Sequence, residues 1–300
     1  MNESTSANVQ TPASNNPERL LVVSRESSDT VQTPPPSDEA PAPPEPLPAA
    51  RTTAAVKIYG SGETQVCALD EVSVNFEKGC FTAIMGPSGS GKSTLLHCVA
   101  ALDTLTSGQA FIGETDLCTL SDKALTRLRR DRVGFVFQAF NLVPTLNALE
   151  NITLPMDLAK RNPNKDWVDS VISTLGLGDR LSHRPNELSG GQQQRVAVSR
   201  ALASKPEIIF ADEPTGNLDS RAGTDVLQFM RDAVDNLGQT IVMVTHDAAA
   251  AATADRVVFL ADGALQGEMH NPETEEILDY MKILQVDQLA LHASEDASVT

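Results

Sequence analysis

The 300-residue sequence lacks several features that would place it inside a membrane or around a structural metal ion. Its four cysteines include no closely spaced pair, so metal-ligand spacing is absent and reduced thiols are expected. No apolar run approaches the roughly 18 residues that a transmembrane helix needs. The first ten residues lack the basic and apolar regions of a secretory signal peptide. If this protein serves a membrane, we therefore expect it to act through a partner.

Positive charge is also scarce along the chain. The 23 Lys and Arg residues are outnumbered by 40 Asp and Glu residues, which gives a formal net charge of −17. A chain this acidic is a poor candidate for broad contact with nucleic-acid backbones or anionic lipid surfaces. Anionic ligands must therefore be bound locally, through backbone N–H groups and a few well-placed cations.

Composition predicts three regions. Residues 1–51 are rich in Ser, Pro and Glu, and their only apolar cluster is Leu20-Leu21-Val22-Val23, which predicts a disordered, acidic, Pro-rich tail. A partner-docking role for that cluster remains open. Residues 52–270 predict an α/β domain that opens with antiparallel-looking strands and continues as a mostly parallel core. Within it, residues from about 139 to 203 predict a helical subdomain. Residues 271–300 predict a C-terminal helix and a frayed tail past about residue 287.

A glycine-rich loop between a buried strand and a helix carries the clearest chemical signal. Residues 86–93 fit the pattern G-x-x-x-x-G-K-[ST], which is typical of a loop that surrounds phosphate groups with backbone N–H donors. Lys92 supplies a charge for the β- and γ-phosphates, and Ser93 offers a hydroxyl to Mg²⁺. A merely flexible Gly/Ser-rich loop is the alternative. The predicted nucleotide-binding residues here are Gly86, Pro87, Ser88, Gly89, Ser90, Gly91, Lys92, Ser93 and Thr94.

Polar side chains follow three other buried strands, where an open α/β sheet places its ligands. Asp212 can hold Mg²⁺ at the end of a strand, and Glu213 can orient or deprotonate an attacking water. A helix-capping acid pair is the alternative for these two residues. His246 and Gln138 end two further strands, and either could instead be an ordinary structural residue.

The stretch LSGGQ adds a second cluster of backbone donors. Ser189, Gly190 and Gly191 precede a predicted helix from about Gln193 to Ala203, so they form another anion-binding N-terminus. Because the glycine-rich loop already surrounds one side of a nucleotide, this cluster must bind another anion or face the same phosphates from another chain.

Together these motifs resemble those of the ATP-binding subunits of ABC transporters, and the resemblance runs from about Ala55 to Glu268. It implies the ABC ATPase fold: a P-loop NTPase with a mostly parallel core sheet, an antiparallel β subdomain and a helical subdomain. It implies ATP and Mg²⁺ as ligands, with metal contacts from Ser93, Gln138 and Asp212. The remaining implied roles are adenine stacking by Tyr59, catalysis by Glu213, His246 and Gln138, and nucleotide contacts by Ser189, Gly190, Gly191, Gln192 and Asp219.

The resemblance also implies partners. Two copies would lie head to tail, so that each phosphate loop faces Ser189 and Gly191 of the other copy. An integral membrane permease would dock near residues 140–145, at the cytoplasmic face of the cell membrane. The sequences of residues 135–155 and 211–220 are similar to those of the branch that serves lipoprotein release, macrolide and peptide export, and permeases of the cell-division type. Leu105 stands where many relatives have proline, and Ala101 stands where many have glycine. Neither position is expected to touch the nucleotide.

Two alternative functions remain open. The same ATPase motifs would serve a regulatory complex in which ATP cycles pull on a permease-like protein without moving cargo. A soluble ABC ATPase that acts on nucleic acid is disfavoured, because only about 50 residues separate Gln138 from LSGGQ and they carry no heptad repeat. The acidic composition also argues against a nucleic-acid partner.

Overall fold

The computed structural model describes residues 20–21 and 47–298. The strands described are β1 Leu20–Leu21, β2 Ala50–Tyr59, β3 Val66–Phe76, β4 Phe81–Met85, β5 Ser107–Ile112, β6 Thr115–Asp116, β7 Val133–Phe137, β8 Ile208–Asp212, β9 Ile241–Val244, β10 Arg256–Ala261 and β11 Ala264–His270. The helices described are α1 Lys92–Val99, α2 Asp122–Arg132, α3 Ala148–Ala159, α4 Lys165–Thr174, α5 Gly190–Ala203, α6 Ser220–Leu237, α7 Ala248–Ala251 and α8 Thr274–Ser298.

The core is a mixed sheet that is parallel where it carries the predicted motifs. Within the described residues its strand order is β1-β11-β10-β4-β9-β8-β7. The strands from β10 to β7 pair in parallel, whereas β11 and β1 pair antiparallel at one edge. Parallel strands point their carboxyl ends the same way, so the segments that follow β4, β7, β8 and β9 meet at one end of the sheet.

The core sheet separates two hydrophobic clusters. Along β4, Phe81, Ala83 and Met85 belong to one cluster and Ile84 belongs to the other, as the alternation of side chains in a strand requires. All five residues of β4 are buried, which is typical of a strand covered on both faces. The first cluster contains residues of α3 to α8, and the second contains residues of α1 and of the second sheet.

The second sheet is antiparallel throughout, with the order β3-β2-β5-β6. Its apolar residues, among them Leu69 and Ile112, pack with Leu95 and Leu96 of α1. The sequence predicts this antiparallel subdomain, the parallel core and the helical region, and the fold class is confirmed.

Three boundaries differ from the sequence predictions. The strand β2 begins at Ala50, and Leu20 and Leu21 pair with Met269 and Glu268 of β11, so part of the predicted disordered tail forms an edge strand. The rest of the tail lies outside the described residues. Without β1, β11 would be the last strand of the sheet, and such an edge strand exposes unpaired backbone groups that accept another strand. At the other end, the backbone of α8 is helical to Ser298, beyond the predicted fraying near residue 287.

The helices of residues 47–298 were also compared with the dimensions of a bilayer. None of them combines the length and the apolar composition that crossing a membrane requires.

Candidate nucleotide site

The glycine-rich loop has a shape that only glycine allows at two positions. Gly86 has a φ of +152°, and a Cβ atom there would lie 1.9 Å from the carbonyl oxygen of Leu260. Gly91, with a φ of +95°, would place a Cβ atom 2.2 Å from the carbonyl oxygen of Ala68. The loop is therefore held tightly against the ends of β10 and β3, and its last two residues form the start of α1. This is the shape that a phosphate-binding loop needs.

Lys92 brings a positive charge into this loop. Its Nζ donates to the carbonyl oxygen of Pro87 at 2.5 Å and lies 3.4 Å from Ser90 Oγ. Burial lowers the pKa of Lys92, and the more distant carboxylates of Glu213 and Asp212 oppose that change. A half-buried ammonium whose nearest acceptors are neutral oxygens is well suited to bind an anion.

Ser93 and Asp212 converge from two different elements. Ser93 Oγ, on the first turn of α1, donates to Asp212 Oδ1 at 3.1 Å. Mg²⁺ prefers hard oxygen ligands and is usually held by one or two carboxylates together with substrate phosphates. This hydroxyl and carboxylate therefore fit the ion that the sequence implies.

His97 is a neighbour of this pair that the sequence reasoning missed. Its Nε2 lies 3.4 Å from Asp212 Oδ2. One signal was available, because His97 follows Ser93 by four residues and residues at that spacing share a helix face.

Glu213 and His246 form a second pair at the same end of the sheet. His246 Nδ1 lies 2.9 Å from Glu213 Oε1 and 2.8 Å from Oε2. Glu213 has a φ of +49°, an uncommon backbone conformation for a residue other than glycine. The imidazole orients the carboxylate, which is the kind of arrangement that a general base requires.

Gln138 follows β7 and lies beside β8. Phe137 and Asp212 are partners in the parallel register, so Gln138 reaches the same end of the sheet as the acidic residues. Its side chain packs over Gly216, where a Cβ atom would lie 2.8 Å from Gln138 Nε2. The carbonyl oxygen of Gln138 also accepts from Asn217 Nδ2 at 3.0 Å. Its predicted contact with the metal stays a prediction.

The LSGGQ segment forms a separate feature on the same chain. Ser189 caps α5, which begins at Gly190 rather than at the predicted Gln193, because Ser189 Oγ accepts from Gln192 N at 3.3 Å and Gln192 Oε1 accepts from Ser189 N at 2.9 Å. Ser189 and Gly191 line a cavity of about 160 Å³ together with Asp219. None of the described residues that line it belongs to the loop 86–93.

Tyr59 stands at the end of β2 with 41% of its surface exposed. Its hydroxyl donates to Asp103 Oδ2 at 2.7 Å. Lys57 Nζ lies 4.8 Å from the ring centroid and donates to Asp103 Oδ1 at 2.7 Å. These contacts fix the position of an exposed aromatic ring, as stacking on a base would require.

Comparisons with known proteins agree with this arrangement. Residues 69–216 match the family described as ABC transporter. An ABC transporter ATP-binding protein of Methanocaldococcus jannaschii is 46% identical over 70% of this chain and 94% of that protein. A macrolide export ATP-binding/permease protein of Bdellovibrio bacteriovorus is 42% identical over 71% of this chain but only 32% of its own length. A dimeric ATP-binding cassette in a post-hydrolysis state, bound to ADP and Pi, has a TM-score of 0.67 and 41% identity, over 75% of this chain and 99% of its own.

Proposed function

Because this chain belongs to the ABC transporter family and is an ABC-type ATPase, we propose that it hydrolyses Mg²⁺-bound ATP between two head-to-tail copies to drive a separate integral membrane permease. One observation carries the proposal. Lys92, Ser93, Asp212 and Glu213 converge at one end of the core sheet, whereas Ser189 lies in a separate cavity of the same chain. A second copy would bring the missing donors to the phosphates.

Each residue then has a task in this reaction. Lys92 and the backbone of the loop bind the phosphates, and Ser93, Asp212 and Gln138 would hold the metal. Mg²⁺ would neutralise the charge that develops on the phosphate oxygens. Glu213, oriented by His246, accepts a proton from the attacking water. Ser189 to Gln192 and Asp219 of the second copy complete the site. The dimeric cassette bound to ADP and Pi supports this assignment.

The permease is proposed to dock on residues 140–145 at the cytoplasmic face of the membrane. Arg200 of α5 donates to the carbonyl oxygens of Asn141 at 2.6 Å and Phe140 at 3.1 Å. Asn151 of α3 binds the backbone N–H of Val143 at 2.8 Å. The loop is therefore held in a fixed shape on α3 and α5, as a docking surface requires. The relative that joins an ATP-binding part to a permease supports such a partner.

Thr145→Glu is expected to lower the recovery of permease with the purified complex at least about tenfold, because an unpaired charge buried in the interface costs more than the roughly 1.4 kcal/mol that a factor of ten represents. Thr145 is exposed, whereas Leu142 packs against the core and would report on folding instead. The measurement is co-purification from detergent-solubilised membranes, with ATP hydrolysis stimulated by the reconstituted permease as a second readout. Ser173→Glu, on the exposed surface of α4, is the matched control. Equal recovery with both variants would show that the permease docks elsewhere.

Tyr59→Ala is expected to raise the KM for ATP about tenfold and to change kcat little, because stacking of a base on an aromatic ring is worth roughly 1–3 kcal/mol. Tyr59→Phe keeps the ring and loses only the hydroxyl that donates to Asp103, so its KM should stay within about twofold of wild type. Steady-state kinetics with ATP check both values. A KM for Tyr59→Ala equal to that of Tyr59→Phe would exclude stacking.

A further inference from the structure

The carboxylate of Asp212 has a different neighbour on each oxygen. Oδ1 accepts the hydrogen bond from Ser93 Oγ at 3.1 Å. Oδ2 lies 3.4 Å from His97 Nε2, which is within ion-pair range although longer than an ordinary hydrogen bond. The two groups come from the same face of α1 and approach different oxygens of the carboxylate.

We propose that His97 is a positioning residue for the metal ligand Asp212. It holds Oδ2 so that Oδ1 faces Ser93 and the site proposed for Mg²⁺, and the inference therefore rests on the proposed function. An imidazole that carries a hydrogen on Nε2 is able to donate it to a carboxylate without a change in charge, so the proposed role requires no titration. Ligating carboxylates are commonly hydrogen-bonded in this way, and the outer groups set the affinity for the metal.

The ring of His97 has an aromatic neighbour on β7. The ring centroid lies 6.1 Å from that of Phe135, at an interplanar angle of 41°, and Phe135 lies 4.2 Å from Phe137. Both phenylalanines belong to β7, and Phe137 is the register partner of Asp212 on β8. The neighbours of the ring and the carboxylate itself therefore belong to adjacent strands of one sheet.

Burial also distinguishes His97 from the histidines on the open surface. Its side chain is 37% exposed and that of Asp212 is 21% exposed, so solvent screens their contact only in part. His270 has a side chain that is 52% exposed, and it lies at the end of β11 at the sheet edge. A solvated surface histidine would have no effect on the metal, which makes His270 a suitable comparison.

The test uses the full-length protein with ADP, which the reaction does not consume, and with Mn²⁺ as the metal probe. Electron paramagnetic resonance measures the Mn²⁺ affinity of the ADP-bound protein. We expect His97→Ala to weaken this affinity about tenfold, as the loss of an outer-shell partner typically does. His97→Gln, which places an amide N–H near the position of Nε2, should recover the affinity to within about threefold of wild type. His270→Ala should match wild type.

A second measurement separates positioning from folding. ADP affinity in the presence of EDTA and the melting temperature should be the same for wild type, His97→Ala and His97→Gln. The inference would be overturned by unchanged Mn²⁺ affinity in His97→Ala, by an equal loss in His97→Gln, or by an equal loss of metal-free ADP affinity. Wild-type protein that binds ADP but not Mn²⁺ would overturn the proposed metal-dependent function as well.

Discussion

Glu213→Gln is expected to lower ATP hydrolysis at least about 100-fold while leaving ATP binding unchanged, because an amide cannot accept the proton of the attacking water. The substitution keeps the size of the side chain, and the amide still reaches His246. ATP that binds without being hydrolysed should hold two copies together. Phosphate release, nucleotide affinity and size-exclusion chromatography with ATP would measure the three effects.

Glu114→Gln provides the control for this substitution, since Glu114 is an exposed carboxylate in the turn between β5 and β6. It should hydrolyse ATP at the wild-type rate and form no lasting dimer. If Glu213→Gln retained wild-type turnover, Glu213 would not be the general base. His246→Ala gives an independent check. Losing the group that orients Glu213 should lower kcat and change KM little.

The second large effect concerns the shared site. Lys92→Ala and Ser189→Asp should each lower ATP hydrolysis about 100-fold or more, the first by removing the phosphate-binding cation and the second by placing a negative charge beside the phosphates. Aspartate caps a helix as well as serine does, so Ser189→Asp should leave α5 intact. Ser189→Asn, also a good cap but neutral, separates the effect of charge from that of shape.

Mixing the two inactive variants should restore activity if the copies are arranged head to tail. Each mixed dimer then contains one site with an intact Lys92 and an intact Ser189, and one site that lacks both. Random pairing of equal amounts makes half of the dimers mixed, so about a quarter of the wild-type rate is expected if the sites act independently. A double variant, Lys92→Ala with Ser189→Asp, should restore nothing when it is mixed with either single variant. If mixing the two single variants restored no activity, Lys92 and Ser189 of the same chain would serve the same site.

The sequence predicted the local motifs of this protein more completely than the contacts between distant segments. The loop 86–93 and the caps of α5 and α6 depend on residues within a few positions of one another, and the structure brings the loop's Ser93 to Asp212 as the motif implies. Spacing alone could not show that Leu142 packs inward or that Gln138 rests on Gly216. These contacts join segments far apart in the chain.

The strand order of the core sheet could not be predicted from the sequence either. Nothing in the alternation of strands and helices indicates that β4 lies between β9 and β10, or that Leu20 and Leu21 reach β11. A two-residue strand has too little pattern to be recognised, and its pairing depends on an open sheet edge formed some 250 residues later. His97 was missed for a related reason, because its partner Asp212 enters from another element.

The attachment of residues 140–145 to α5 has a mechanical consequence. Near one end of α5, Arg200 donates hydrogen bonds to the carbonyl oxygens of Phe140 and Asn141. At the other end, the ring of Phe140 lies 3.7 Å from the position that a Cβ atom of Gly190 would take. A helix of 14 residues is a stiff rod about 21 Å long. If the permease docks on this loop as proposed, a displacement of the loop would act near both ends of the helix that Ser189 caps.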